Sequence, residues 1–149
     1  MMISIGCDHG GYELKEVIKK SFEEKGIKYR DYGTYSKESV DYPKYALAVA
    51  ESVANEEGEC GIICCGTGIG VSIAANKVPG VRAAAVADVF SARATKQHNN
   101  ANVLCLGQRV IGEGLALLIV DEWLNTKFEG GRHQTRINLI SKMEEKYCK

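Results

Sequence analysis

The stretch from residue 61 to residue 77 constrains the fold of this chain more than any other. It begins with Gly-Ile-Ile-Cys, an apolar and partly β-branched run that is typical of a strand buried on both faces. From Ile69 onward the side chains are small and apolar, as in a helix that packs closely on a sheet. Between these two segments the chain turns through Gly66, Gly68 and Gly70. The stretch therefore predicts a buried strand, a tight glycine turn and a helix.

The glycine turn also predicts a site that could bind negative charge and activate a thiol. Glycine allows positive φ and a close approach of a ligand to the backbone, and the first N–H groups of a helix favour an anion or a developing oxyanion. Cys65 lies at the mouth of the turn, where the same field favours a thiolate. The glycine spacing fits neither a dinucleotide fingerprint nor a P-loop. Taken alone, the stretch is as typical of a structural turn with a buried cysteine as of a catalytic one.

Composition excludes several classes of function. The chain has 149 residues, 45% of them hydrophobic, which suits one domain. Its formal net charge is zero, so there is no electrostatic case for binding nucleic acid or an anionic membrane. No apolar run approaches the roughly 20 residues that a membrane span needs. The first residues read as a strand and not as a signal peptide. Six cysteines without a Cys-x-x-Cys pair indicate reduced thiols, a cytoplasmic location and no metal site.

Regular alternation of strand and helix patterns gives the fold class. The predicted strands span residues 3–7, 27–32, 61–64, 82–87 and 102–106. The predicted helices span residues 14–25, 43–56, 69–77, 89–97, 112–125 and 134–146. This order predicts a doubly wound, Rossmann-like α/β domain over residues 1–149, a three-layer sandwich with a five-stranded parallel sheet and an extended C-terminal helix.

In such sheets, ligands bind beyond the carboxyl ends of the strands. That rule gathers Asp8 and His9, Cys65 with its glycine turn, and Arg109. His98 and Asn99 precede the fifth strand and would have to reach the site from the far side. Four of these residues have an ordinary alternative: Asp8 as a helix cap, His98 complementing a helix dipole, Asn99 as a turn residue, Arg109 in a surface ion pair. The position of His9 in a glycine-rich turn favours ligand contact.

Arg132 and Arg136 are four residues apart near the start of the last predicted helix, so they share one face. The helix dipole disfavours cations there, and arginine binds phosphate well, so the pair predicts an anionic partner. A solvated helix face is the alternative. In the preceding helix, Leu115, Leu118, Ile119 and Trp123 offer more apolar surface than a small sheet obviously needs, although they could simply cover it.

Five segments together resemble a known family, the type B ribose-5-phosphate isomerases, which are related to bacterial galactose-6-phosphate isomerase subunits. They are residues 6–9, 41–43, 65–77, 93–99 and 130–134, with the sequences Gly-Cys-Asp-His, Asp-Tyr-Pro, Cys-Gly-Thr-Gly-Ile-Gly and onward, a run ending in Gln-His-Asn, and Gly-Gly-Arg-His-Gln. The resemblance implies interconversion of D-ribose 5-phosphate and D-ribulose 5-phosphate through a cis-enediolate, without cofactor or metal. It leaves open whether six-carbon sugar phosphates or free aldoses are preferred.

The resemblance also implies roles for single residues. Cys65 is the base that moves the proton and His98 the acid that opens the sugar ring. The enediolate is held by the Thr67 hydroxyl and by the backbone of Gly66, Gly68, Ile69 and Gly70. Asp8 and Asn99 bind sugar hydroxyls, and the phosphate is bound by His9, Arg109, Arg132 and Arg136.

The same resemblance implies a homodimer or a dimer of dimers, with sites at the subunit interface and residues 130–149 as an arm on the neighbouring subunit. Two other hypotheses compete. A non-catalytic nucleotide-binding module of flavodoxin-like build would need neither Cys65 nor His98. An NAD-dependent oxidoreductase is disfavoured because the dinucleotide fingerprint is wrong.

Overall fold

A computed structural model describes residues 1–148; Lys149, the last residue of the predicted arm, lies outside this range. Five parallel strands form one sheet in the order β2–β1–β3–β5–β4. They are β1 Met2–Cys7, β2 Lys28–Asp31, β3 Cys60–Cys65, β4 Ala83–Ala85 and β5 Val103–Gly107. The predicted five-stranded parallel sheet is therefore confirmed, with β4 shorter than the sequence pattern indicated.

The described residues form six α-helices, and five of them cover the two faces of this sheet. The six helices are α1 Tyr12–Lys25, α2 Tyr42–Ala54, α3 Ile69–Ala75, α4 Val89–Asn99, α5 Glu113–Asn125 and α6 Arg132–Tyr147. Helices α1, α4 and α5 pack in the core on one face, and α2 and α3 pack on the other, which confirms the three-layer arrangement. Helix α6 begins two residues earlier than predicted, because Gly130 and Gly131, with φ of 67° and 56°, complete the turn directly before Arg132.

Strand β3 lies at the centre of the sheet, between β1 and β5. Because side chains alternate along a strand, Ile62 and Cys64 face α1, α4 and α5, whereas Ile63 and Cys65 face α2 and α3. All six residues of β3 are buried, as its apolar sequence predicts. The two adjacent cysteines therefore belong to two different cores.

The apolar face of α5 is only partly a free surface. Ile119 and Trp123 are fully buried in the core, so these two residues cover the sheet. Leu115 and Leu118 remain 37% and 60% exposed. The expectation of surplus apolar surface thus holds for two of the four residues and is wrong for the other two.

Parallel strands give the sheet two chemically distinct ends. We call the end where the strands finish the carboxyl end and the end where they begin the amino end. Helix α6 lies at the amino end, where its Glu144 carboxylate accepts a hydrogen bond from the backbone N–H of Gly80 at 3.1 Å, shortly before β4. None of the helices within residues 1–148 combines the length and the hydropathy that crossing a membrane requires.

Candidate active site

Cys65 is the last residue of β3, and its side chain lies under the glycine turn. Its Sγ accepts a hydrogen bond from the backbone N–H of Gly68 at 3.0 Å. Gly68 has a φ of 79°, a conformation that favours glycine and that turns this N–H toward the sulfur. Cys65 is 6% exposed, so the thiol sits at the boundary between the α2–α3 core and the turn.

The glycine turn packs tightly against the ends of its neighbouring strands. A Cβ at Gly107, the end of β5, would lie 2.6 Å from the backbone of Thr67. A Cβ at Gly11 would lie 2.3 Å from the Cys64 carbonyl. Only glycine fits at these two positions, and the three strand ends are thereby held in one compact group.

Two of the predicted oxyanion donors already have partners within the chain. The Gly68 N–H is directed at Cys65, and the Ile69 N–H donates to the Thr67 hydroxyl oxygen at 3.2 Å. Within residues 1–148, the N–H groups of Gly66 and Gly70 donate to no protein acceptor. The amides open to a substrate are therefore those of Gly66 and Gly70, and the Thr67 hydroxyl keeps its own proton free to donate.

Asp8 has the capping role that the sequence left open. One carboxylate oxygen accepts hydrogen bonds from Gly10 N–H at 2.9 Å and Gly11 N–H at 3.2 Å, which caps a short 3-10 turn over His9–Gly11. Asp8 is 8% exposed, and its second oxygen makes no protein hydrogen bond within residues 1–148. The cap consequently leaves one acceptor available at the carboxyl end.

His9 is held in one tautomer. Its Nδ1 accepts a hydrogen bond from the backbone N–H of Val40 at 3.1 Å, so the ring proton of the neutral imidazole is on Nε2. The guanidinium of Arg109 lies over Gly66, with Nη1 3.2 Å from the position of a Cβ there. The Arg109 guanidinium thus lies against the turn that follows Cys65, and both this guanidinium and the His9 Nε2–H suit an anion.

A buried ion pair anchors the loop that holds His9. Lys15 is fully buried, and its ammonium donates to Asp31 at 2.8 Å and to the Thr34 carbonyl at 2.6 Å, at the start of the loop from β2 to Val40. Burial by itself raises the pKa of the Asp31 carboxyl, but hydrogen bonds from Lys15, Lys19 and the Gly33 N–H outweigh it and hold the pKa below its usual value.

Four other cysteines are buried away from the turn and remain neutral thiols. Burial raises the pKa of Cys7 to about 12 and that of Cys60 to about 11. It also raises the pKa of Cys64 and of Cys105. Of the buried thiols within residues 1–148, Cys65 is the one whose sulfur accepts a hydrogen bond from an N–H at a helix start.

The second group of predicted residues lies at the amino end. His98 and Asn99 form the last turn of α4 and are exposed, as are Arg132 and Arg136 on the first turns of α6. Arg82 donates from its guanidinium to the Asn99 carbonyl at 3.0 Å, which fastens the end of α4 to the start of β4.

Within one chain, the predicted residues at the amino end do not meet those at the carboxyl end, because α4 runs back along the sheet and ends where β5 begins. Cys65 pairs with Gly107 at the carboxyl end of β5, whereas His98 precedes Val103 at its amino end. The four residue steps of β5 alone span roughly 13 Å at ~3.3 Å per residue. His98, Asn99, Arg132 and Arg136 therefore cannot join Cys65 of the same chain.

Three features of the amino end escape sequence reasoning. The rings of His98 and His133 stack with centroids 4.4 Å apart and planes 15° from parallel. Glu129 lies beside them, with its carboxylate 3.3 Å from His133 Nε2. The third feature is the hydrogen bond from Arg82, which no sequence signal separates from other arginines. The Gly-Gly-Arg-His segment marks His133 in the sequence but does not indicate its stacking partner.

Comparison with known proteins gives a consistent result. A sequence model described as Ribose/Galactose Isomerase matches residues 3–140. Ribose-5-phosphate isomerase B of Escherichia coli is 49% identical over 144 residues, covering 97% of each chain. The structure of ribose-5-phosphate isomerase B from Clostridium thermocellum superposes with a TM-score of 0.98 at 53% identity, covering 99% of each chain. The enzyme from Mycoplasma genitalium, solved with bound ribulose 5-phosphate, superposes with a TM-score of 0.92 at 44% identity, covering 97% of this chain and 96% of that one.

Proposed function

This chain belongs to the ribose/galactose isomerase family, and on that premise we propose that it interconverts D-ribose 5-phosphate and D-ribulose 5-phosphate. The observation that carries the proposal is the position of Cys65, whose sulfur accepts the Gly68 N–H at the start of a helix beside two amides free to bind an oxyanion. This arrangement combines a base with a site for negative charge, as a proton shift next to a carbonyl requires.

In the proposed reaction, Cys65 acts as a thiolate and removes the proton from C2 of the open-chain aldose. The resulting cis-enediolate is stabilised by the N–H groups of Gly66 and Gly70 and by the Thr67 hydroxyl, which has a free proton because its oxygen accepts from Ile69. The hydroxyl proton of O2 moves to O1 within the enediolate, and Cys65 then returns its proton to C1, which gives the ketose. Asp8 binds a sugar hydroxyl with its uncapped carboxylate oxygen.

The phosphate and the sugar ring require the second group of residues. We propose that His98, Asn99, Arg132 and Arg136 act in the site of a neighbouring copy, where His98 protonates the ring oxygen and the arginines bind phosphate. The support is geometric, since these exposed residues and Cys65 occupy opposite ends of the sheet in one chain. A two-fold interface can bring the amino end of one chain to the carboxyl end of another, and it does so twice.

The surface beside the turn fits such an interface. Ile69 and Ile73 on α3 are 56% and 59% exposed, and they adjoin an apolar groove of about 350 Å³ lined in part by Tyr42 and Leu47. We propose that the arm beginning at Gly130 packs on the neighbouring subunit in a homodimer. Cysteines without a disulfide among them fit a reducing compartment, so we place the protein in the cytoplasm.

Steady-state kinetics test the proposal. The purified chain should isomerise ribose 5-phosphate with a higher kcat/KM than allose 6-phosphate, galactose 6-phosphate or free allose, because the relatives from Escherichia coli and Clostridium thermocellum are named ribose-5-phosphate isomerases. Turnover of a six-carbon phosphate with the highest kcat/KM would reassign the substrate. A complete lack of turnover with all four would refute the isomerase proposal.

A further inference from the structure

Within the part of the chain that the structure describes, the imidazole of His98 is held by a ring stack and not by polar contacts. It is exposed, and within residues 1–148 its ring takes part in no hydrogen bond or ion pair. Its one close aromatic contact is the stack on His133, with centroids 4.4 Å apart and planes 15° from parallel. The stack therefore sets the plane of the His98 ring.

His133, by contrast, is fixed. It is 5% exposed, and its backbone N–H donates to the Gly130 carbonyl at 3.1 Å, in the turn that starts α6. Its buried Nε2 lies 3.3 Å from the Glu129 carboxylate but is not aligned for a hydrogen bond. Glu129 is itself tied to α4, since its backbone N–H donates to the Gln97 carbonyl at 3.1 Å. The contact between α4 and α6 thus packs the buried His133 ring against the exposed His98 ring.

We propose that His133, backed by Glu129, is a positioning residue that holds the His98 ring in the plane and at the depth needed to protonate the ring oxygen of the substrate. This inference rests on the proposed role of His98 as the ring-opening acid. A general acid must lie within hydrogen-bond reach of the atom it protonates, and small errors in placement are costly. An unsupported imidazole on a helix end would sample several rotamers.

The same three side chains could also be considered as metal ligands, because their ligand atoms lie within 4.8 Å of one another. The geometry favours the stack. In two nearly parallel rings, the nitrogen lone pairs point side by side and not toward a common point. Chelation would require the stack to break. A metal role therefore predicts a loss of activity when metal is removed, whereas the positioning role predicts no change.

The test separates ring opening from proton transfer. Ribose 5-phosphate is a closed ring and needs the acid, whereas ribulose 5-phosphate cannot close through its phosphorylated C5 oxygen. Exchange of its C1 hydrogen in D2O therefore reports the Cys65 step alone. We compare His133→Ala, His133→Phe and, as the matched control, Ile137→Ala, which removes another buried side chain one turn further along α6.

For His133→Ala we expect net conversion of ribose 5-phosphate to fall about tenfold while C1 exchange stays within about twofold of wild type. His133→Phe keeps an aromatic platform and should recover net conversion to within about threefold of wild type. Ile137→Ala should change both rates by the same factor. Treatment with EDTA should change neither.

Equal losses of conversion and exchange in His133→Ala would overturn the proposal, as would unchanged conversion or a loss on EDTA treatment. If wild type is inactive, the proposed function fails and the positioning claim is judged by NMR. The His98 ring protons should then shift on His133→Ala because they lose the ring current of the stack, and an unchanged spectrum would refute the contact.

Discussion

The two ends of the sheet carry the two halves of the proposed site, and these halves differ in character. At the carboxyl end, Cys65 and Asp8 are 6% and 8% exposed, and each is held by backbone N–H groups. At the amino end, His98 and Arg136 are exposed, and His98 is held by a ring stack. The carboxyl-end half is thus built by the fold of one chain, whereas the amino-end half has the exposure expected of residues that meet a partner.

The largest effect should come from the carboxyl end. Cys65→Ala removes the proposed base, and we expect kcat for ribose 5-phosphate to fall about 1000-fold, within the range for loss of a positioned base. Cys105→Ala is the matched control, because Cys105 is buried in the same core and its sulfur has no N–H partner within residues 1–148. Its kcat should stay near that of wild type. Comparable activity of the two variants would remove Cys65 from the mechanism.

A second change tests whether the carboxyl-end half depends on its buried anchor. Asp31→Asn leaves Lys15 buried without its carboxylate, and we expect the free energy of unfolding at pH 7 to fall by about 3 kcal/mol. The pKa of Asp31 is lowered in the folded protein, so its stabilisation is present above the unfolded value of about 3.9 and is lost as the pH falls through the lowered one.

Urea unfolding at several pH values measures this effect. The deficit of Asp31→Asn should be full at neutral pH and should shrink below about pH 4. Asp121→Asn, which breaks an exposed pair with Lys25, is the control and should cost less than about 1 kcal/mol. A deficit for Asp31→Asn that is the same at pH 7 and in acid would contradict the assignment.

At the amino end, Arg136→Ala should weaken phosphate binding. Loss of a charge-assisted hydrogen bond of about 2 kcal/mol corresponds to a rise in KM of roughly 30-fold for ribose 5-phosphate. Turnover of an unphosphorylated aldose, where measurable, should change little. Arg30→Ala, at an exposed arginine on β2, is the control and should leave KM unaltered. Equal effects on phosphorylated and free sugars would refute the phosphate role.

Hybrid dimers test whether the two halves of the proposed site come from different chains. A dimer of one Cys65→Ala chain and one His98→Ala chain would contain one site with both defects and one intact site. Random reassortment of the two inactive variants should therefore restore about a quarter of wild-type activity, since half of the dimers are hybrids with one working site of two. Co-refolding followed by an activity assay measures this recovery. No recovery would mean that each chain completes its own site.

The sequence predicted the fold and the carboxyl-end half well, for physical reasons. A strand buried on both faces has an unambiguous apolar pattern, and the glycines that follow β3 mark its turn. Placement at the carboxyl end then followed from the rule for parallel sheets, which brought Asp8, Cys65 and Arg109 together.

The remaining features depend on contacts that no periodicity encodes. The stack of His98 on His133 joins residues 35 positions apart through the angle at which α6 crosses α4. The bond from the Val40 N–H that sets the His9 tautomer comes from an irregular loop. Two hydrogen bonds, from the Gly10 N–H to Asp8 and from the Gly68 N–H to the Cys65 sulfur, form or fail with shifts of a few tenths of an ångström. Residue type alone does not fix positions that closely.

The alternation of side chains along β3 has a practical consequence for chemical probes. Cys64 is 0% exposed and faces one core, and its neighbour Cys65 reaches the glycine turn on the other face. An electrophile applied to the folded protein should therefore label the exposed Cys148 and then Cys65, and should spare Cys64 until the protein denatures. Inserting one residue into β3 before Cys64 would exchange the faces of the two cysteines. The sulfur of Cys64 would then lie under the glycine turn in place of the sulfur of Cys65.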